Sequence, residues 1–412
     1  MPMNPRVALW LARAAAWSLL IGGWLVFGAL GLFWAPRAEW AFAPLALWMA
    51  GIGLVLRASR SLAFTPASGA AALLASAAGG VGALWASMHG GAWAALLVAA
   101  PCVSVLLVTA SRTVRSLRPG AADRPGRTSG CAPEEAPVGA PAPADRGDSP
   151  AGPALAGALA VALLFSDPAN PQAVAAAAVV LLLAAAGLLA VLPRLSGARG
   201  RRPGTGLSSE AGCRPALFDC SLPGPALWRG AGAARFAMLP MMSSLSWTLA
   251  WCQGTLMPPQ GMLALHLAAM FLPAFLIQRL ATRGNGSAAL GTAAAWLMVA
   301  GALALFDADP LRALLWASLL QGAAWSLAWL ALLAPAGHRP TPLAAQRTSP
   351  RSASSGLASA LLNAALVAAL GAALGRFGLP ALVAVHAALG LWAVAGLRPV
   401  RRTPSFVVSV QR

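Results

Sequence analysis

Long apolar runs, interrupted by short polar segments that carry arginine, recur along the whole chain. Most runs reach about 20 residues, the length at which an α-helix crosses the hydrocarbon core of a bilayer. The pattern predicts twelve membrane-spanning helices, at 9–34, 39–56, 68–87, 91–110, 151–166, 170–193, 236–256, 260–280, 286–306, 311–334, 356–375 and 378–397. The fifth is the shortest and ends at Ser166-Asp167-Pro168. Without it the count falls to eleven and every later segment changes sides. The expected class is therefore an all-α polytopic membrane protein.

The segments between the runs divide the chain. Residues 1–193 form an amino-terminal bundle of six spans, 194–235 a basic central loop, and 236–412 a second bundle of six. A Pro-, Gly-, Ala- and Asp-rich stretch at about 111–150 has the composition of a disordered loop, and 339–355 is a further loop.

Charge then fixes an orientation. The chain is 58% hydrophobic and 10% charged, with a formal charge of +18. All 29 basic residues are arginine. If both termini face the cytoplasm, 26 arginines fall in inner segments and three, Arg37, Arg312 and Arg376, in outer loops. That asymmetry is the positive-inside signature. It also supports twelve spans, because omitting the fifth would invert everything after it. The basic charge does not indicate nucleic-acid binding, since the arginines lie between spans with no aromatic interleaving and no nucleic-acid motif. Cys102, Cys131, Cys213, Cys220 and Cys252 form no CxxC and no zinc spacing.

Ten of the eleven acidic residues fall outside the expected spans and the eleventh, Glu39, is the first residue of one, so a carboxylate relay of the kind found in many proton-coupled carriers is not expected. No Ser-His-Asp set, phosphate loop or intramembrane acidic pair points to an enzyme, and no resident cofactor is expected. The Gly-rich stretches fit helix packing instead of nucleotide cradles.

The remaining chemistry is concentrated. Met238-x3-Met242 and His266-x3-Met270 each place two side chains on one helix face. Six of the 11 methionines lie between positions 238 and 270. Methionine fills gaps in apolar packing, and a buried histidine often just bridges two helices. The clustering around His266 favours ligands over packing; for His386, with no soft ligand one turn away, the helix-bridging role is favoured. Thioether sulfur and neutral imidazole suit a soft cation such as Cu(I). At about 1.5 Å per residue, Met242 and Met270 sit at similar depth, His266 nearer the outside and Met238 nearer the cytoplasm. The four form a ladder more than a closed cage, and Pro240 and Pro273 can kink the two helices.

The stretch RFAMLPMMSSLSWTLAWCQG, followed by ALHLAAMFLPAFLIQRLATRG, resembles helices seven and eight of CcoA-type copper importers of the major facilitator superfamily. The paired MxxxM and HxxxM motifs carry the resemblance, with Cys252 ten residues after Met242 and with Met270-Phe271-Leu272-Pro273. It covers about 50 residues. It implies a 6+6 major-facilitator fold, copper as transported substrate, and Met238, Met242, His266, Met270 and Cys252 as its ligands. It further implies a bacterial inner-membrane location and copper-chaperone or oxidase-assembly partners. The loop Arg57-Ala-Ser-Arg60-Ser departs from the superfamily's Gly-x-x-x-Asp-x-x-Gly-Arg pattern. Two other readings stand beside copper import: a carrier of a small organic solute such as a vitamin, and a non-transporting assembly factor derived from a transporter.

The orientation has a direct test in a background whose five native cysteines are replaced by serine. Arg37→Cys should react with a membrane-impermeant maleimide on whole cells, and Arg60→Cys only after the membrane is opened. The reverse pattern overturns the arginine assignment.

Overall fold

A computed structural model of the chain describes residues 3–59, 66–90, 92–117, 151–168, 170–196, 259–281, 286–307, 309–333 and 351–378, with scattered positions between 380 and 391. Among these residues there are ten α-helices and no strand: α1 (Pro5–Trp34), α2 (Ala43–Ala58), α3 (Pro66–Met88), α4 (Ala92–Ser116), α5 (Ala151–Leu164), α6 (Pro171–Leu195), α7 (Pro259–Ala281), α8 (Gly286–Ala304), α9 (Pro310–Leu333) and α10 (Arg351–Phe377). A 3-10 turn at Ala38–Trp40 joins α1 to α2. Eight of these segments are long and apolar enough to cross a membrane; α5 and the Ala289–Ala304 part of α8 are shorter. Ten expected spans thus coincide with helices. The expected span at 236–256 and most of that at 378–397 lie outside the described residues, as do 118–150 and 197–235.

Several helix starts are written into the sequence. Five helices begin at proline, whose missing N–H is no loss in the first turn. Asn4 and Asn170 precede two of these prolines, and their side-chain oxygens accept from the Arg6 and Gln172 backbone N–H groups at 2.9 and 3.0 Å. Two helix ends differ from expectation. α4 continues through Ser116, six residues into the segment expected to be a disordered loop, and α10 begins at Arg351 inside the expected 339–355 loop. In α4 the polar residues do not break the helix because they find partners. Thr113 Oγ1 donates to the Thr109 carbonyl at 3.1 Å, Ser116 Oγ to that of Thr113 at 2.8 Å, and the Arg112 guanidinium to the Ser59 carbonyl just past α2. Val114, on the same stretch, is buried.

Close contacts give each helix a direction. Met3 N–H donates to the Leu195 carbonyl at 3.0 Å, and Gly22 lies against Leu181, so α1 and α6 are antiparallel. Gly31 faces Ala41 and Gly23 faces Trp48, which makes α2 antiparallel to α1. Gly152 approaches Trp10 and Gly157 approaches Ala14 and Ser18, so α5 runs parallel to α1. Gly152 also approaches Phe275, near the end of α7, which places that end beside the start of α1. Consequently α6 ends on the face where α1 begins, and α7 begins on the opposite face. A crossing at 236–256 requires that parity.

Helices of the first six spans meet those of the second along two seams. α2 packs on α10, with Gly53 against Ala360 and Phe42 against Gly371, and α5 packs on α7. In the numbering of the twelve expected spans, these pairs are the second with the eleventh and the fifth with the eighth.

Large apolar side chains project outward on many helices. Leu163, Leu276, Leu303 and Phe306 are each more than 60% exposed. A surface of this kind is at home in lipid and a liability in water. Inside, alanine and glycine dominate, and hydroxyls bond to their own helix: Ser18 Oγ to the Ala15 carbonyl, Ser76 Oγ to that of Ala72 and Ser87 Oγ to that of Leu84. Such side chains let helix backbones approach closely, the source of association energy where lipid is as apolar as leucine.

Of the arginines assigned to outer loops, Arg312 forms an ion pair with Asp307 at 3.0 Å. Arg13, counted with the inner segments by sequence, lies within α1 and is buried. A Cβ added at Gly157 would sit 2.7 Å from the Ala14 carbonyl oxygen and 2.9 Å from the Ser18 nitrogen, both backbone atoms that cannot yield. Gly157→Ala should therefore lower stability by about 1–3 kcal/mol, read as an earlier thermal transition in detergent. Gly187→Ala, whose Cβ meets nothing within 4 Å, should leave the transition in place. Equal transitions for the two variants overturn the packing account.

Candidate functional site

α7 and α9 carry the described part of the site. They run parallel and in fixed register: His266 bonds to Ser318, Ala269 lies against Gly322, and Ala274 bonds to Ser326. The seam on α9 is Ser318-x3-Gly322-x3-Ser326, three small residues on one helix stripe. At Gly322 an added Cβ would stand 3.0 Å from the Ala269 Cβ and 3.3 Å from the His266 carbonyl oxygen, so the two backbones almost touch. Beside them, Gln321 Nε2 donates to the Met298 carbonyl of α8 at 3.4 Å.

Pro273 explains the lower contact. A proline inside a helix removes one N–H and pushes the preceding turn away, which loosens the ladder around it. The next N–H, that of Ala274, donates to Ser326 Oγ at 2.7 Å, so α9 supplies the acceptor that a proline-disturbed ladder needs. Sequence reading identified Pro273 as a kink and did not find its partner.

His266 is fully buried. Its Nδ1 lies 2.7 Å from Ser318 Oγ and 3.2 Å from the Ser318 carbonyl oxygen. The Ser318 hydroxyl can donate or accept, whereas its carbonyl only accepts; the tautomer with the proton on Nδ1 is compatible with both contacts and leaves the Nε2 lone pair bare. Nε2 is buried and has no hydrogen-bond partner among the described residues. Histidines that bind metals have this arrangement, with one ring nitrogen anchored to a carbonyl and the other free to ligate. An interhelical hydrogen bond in a membrane protein is worth about 0.6 kcal/mol on average. The Ser318 contact therefore orients the ring more than it stabilises the fold.

Met262 and Met270 flank His266 one turn to either side, and both are buried. The three side chains follow one stripe of α7, as the His266-x3-Met270 spacing predicted. Met238, Met242 and Cys252, the other expected ligands, lie outside the described residues. His338 and His386 do as well. His89 lies at the exposed end of α3, stacked on Trp85 at 4.2 Å with its Nδ1 2.8 Å from the Trp85 carbonyl. It is a satisfied edge residue and no part of this site. Among the described residues no three His, Cys, Asp or Glu side chains converge on a point. The four described acidic residues, Glu39, Asp167, Asp307 and Asp309, all lie outside the α-helices.

Sequence reasoning also missed an aromatic cluster beside the site. Trp17 of α1 meets Phe271 of α7 edge-on at 5.6 Å and Trp329 of α9 at 5.4 Å. Phe271 meets Trp325 at 5.2 Å, and Trp325 stacks on Trp329 at 5.5 Å. The i,i+4 spacing of Trp325 and Trp329 is legible in the sequence, but their meeting with Trp17 is not.

No family profile matches the chain, and no curated protein matches it in sequence. Solved structures do align with it. A POT family transporter in complex with 5-aminolevulinic acid matches over 95% of this chain and 94% of its own, at TM-score 0.57 and 11% identity. An auto-inhibited POT family peptide transporter matches over 95% of each chain, at TM-score 0.53 and 12% identity. At such identities the likeness is one of fold: the chain is a multi-pass, all-α membrane protein with the helix arrangement of the major facilitator type.

Proposed function

We propose that this protein is a membrane transporter that carries a soft metal ion, copper in the Cu(I) state, inward along a path of thioether and imidazole ligands. The observation that carries the reading is the bare, buried Nε2 of His266, held in place through Nδ1 by Ser318 and flanked by Met262 and Met270. A neutral nitrogen and neutral sulfurs replace the hydration of a monovalent soft cation without burying a carboxylate. On this reading Cys252 and His266 meet the ion first, Met270 and Met242 next, and Met238 last, in a bundle of six spans at 236–412 that faces its counterpart at 1–193. A fold shared with known transporters supports the transport part of the proposal.

A second reading rests on the same atom. A bare Nε2 is also a hydrogen-bond acceptor for an N–H or O–H of an organic solute, and aromatic rings lie within two turns of it. Two of the aligned structures, those at TM-score 0.57 and 0.53, are POT family transporters, one of them in complex with 5-aminolevulinic acid.

Copper accumulation in cells, measured by mass spectrometry, separates the two. His266→Ala and Met242→Ala should each lower uptake at least tenfold. Ser318→Ala should lower it only about threefold, the equivalent of one interhelical hydrogen bond of about 0.6 kcal/mol. Wild-type copper uptake in both His266→Ala and Met242→Ala, with the proteins present in the membrane, sinks the copper assignment. Copper-independent uptake of an organic solute that His266→Ala abolishes establishes the second reading.

A further inference from the structure

We infer that Trp17, Phe271, Trp325 and Trp329 are an aromatic gate, which closes the His266 site from the membrane face where α1 begins and parts between Trp17 and the other three rings.

Position is the first argument. From the level of His266 and Ser318, Phe271 lies about 7 Å toward that face, Trp325 about 10 Å and Trp329 about 16 Å, at 1.5 Å per residue. Trp17 lies about 18 Å from the start of α1 by the same rise, so its ring meets theirs between the site and that face. Phe271 is fully buried and Trp17 is 6% exposed, while Trp325 and Trp329 are half-buried at the edge of the cluster.

The second argument is which helix holds each ring. Trp17 belongs to a unit of α1 and α5. Gly157 of α5 fits closely against the backbone of Ala14 and Ser18 and the Cβ of Trp17, so the Cβ from which the Trp17 ring projects moves with both helices. Phe271, Trp325 and Trp329 belong to a unit of α7 and α9, locked by the Ser318, Gly322 and Ser326 contacts. Contacts within the second unit, Phe271 to Trp325 and Trp325 to Trp329, survive any rigid movement of that unit. Contacts of Trp17 with Phe271 and Trp329 do not. Parting Trp17 from Phe271 and Trp329 gives up two edge-on ring contacts and proceeds as a rocking against the α5–α7 seam, where the two units also pack.

The inference requires a path that passes His266 but not that the cargo be copper. Its test therefore reads access directly. In a chain with the native cysteines replaced by serine, His266→Cys is reconstituted into liposomes and treated with an impermeant maleimide from the α1-start face alone. Adding Trp17→Ala should raise the labelling rate tenfold or more, Trp17→Phe should leave it within threefold, and labelling from the opposite face should stay constant. An unchanged rate with Trp17→Ala overturns the gate, as does an equal rise from both faces. If Trp17→Ala does not elute as folded protein, Trp329→Leu decides on the same criteria. Loss of copper uptake with an intact gate, or the reverse, shows which of the two proposals has failed.

Discussion

Close approach of helix backbones is the constraint on which this structure depends. In hydrocarbon an apolar side chain gains nothing by leaving lipid for protein, so helices are held by short-range packing and a few polar contacts. The chain meets that condition with alanine and glycine on its inner faces and large apolar residues outside. At the α7–α9 seam the condition becomes a register. Gly322 allows contact, while Ser318 and Ser326 fix which residues of α7 stand opposite. One of those residues is His266, so the orientation of the candidate ligand follows from how two helices are permitted to touch.

Much of the fold was legible in apolar run length, which gives the spans. Prolines at helix starts, with Asn4 and Asn170 before two of them, place those ends closely. The signals fail at the ends of α4 and α10. In both, serine, threonine or arginine looks like loop by composition, yet in α4 Arg112, Thr113 and Ser116 each bond a carbonyl and the helix continues.

The site was half legible. His266 and Met270 stand out because a histidine in an apolar helix is costly and the spacing is helical. Ser318 does not stand out, since its meaning depends on a residue 52 positions earlier. A small-residue stripe such as Ser318-x3-Gly322-x3-Ser326 marks a close helix contact but not its partner, and it was missed. Trp17 was hidden for the same reason. Its neighbours Phe271 and Trp329 belong to the other set of six spans, and no local periodicity links them.

The outward face of α5 has an effect on the lipid. Leu159 and Leu163 are exposed on it, so acyl chains border this helix directly. Because α5 also packs on α7, the outer edge of that seam is lined by apolar side chains that only a hydrocarbon environment suits. The solvent outside is therefore part of what keeps this seam closed: a detergent that covers the leucines poorly loosens it before it disturbs the interior.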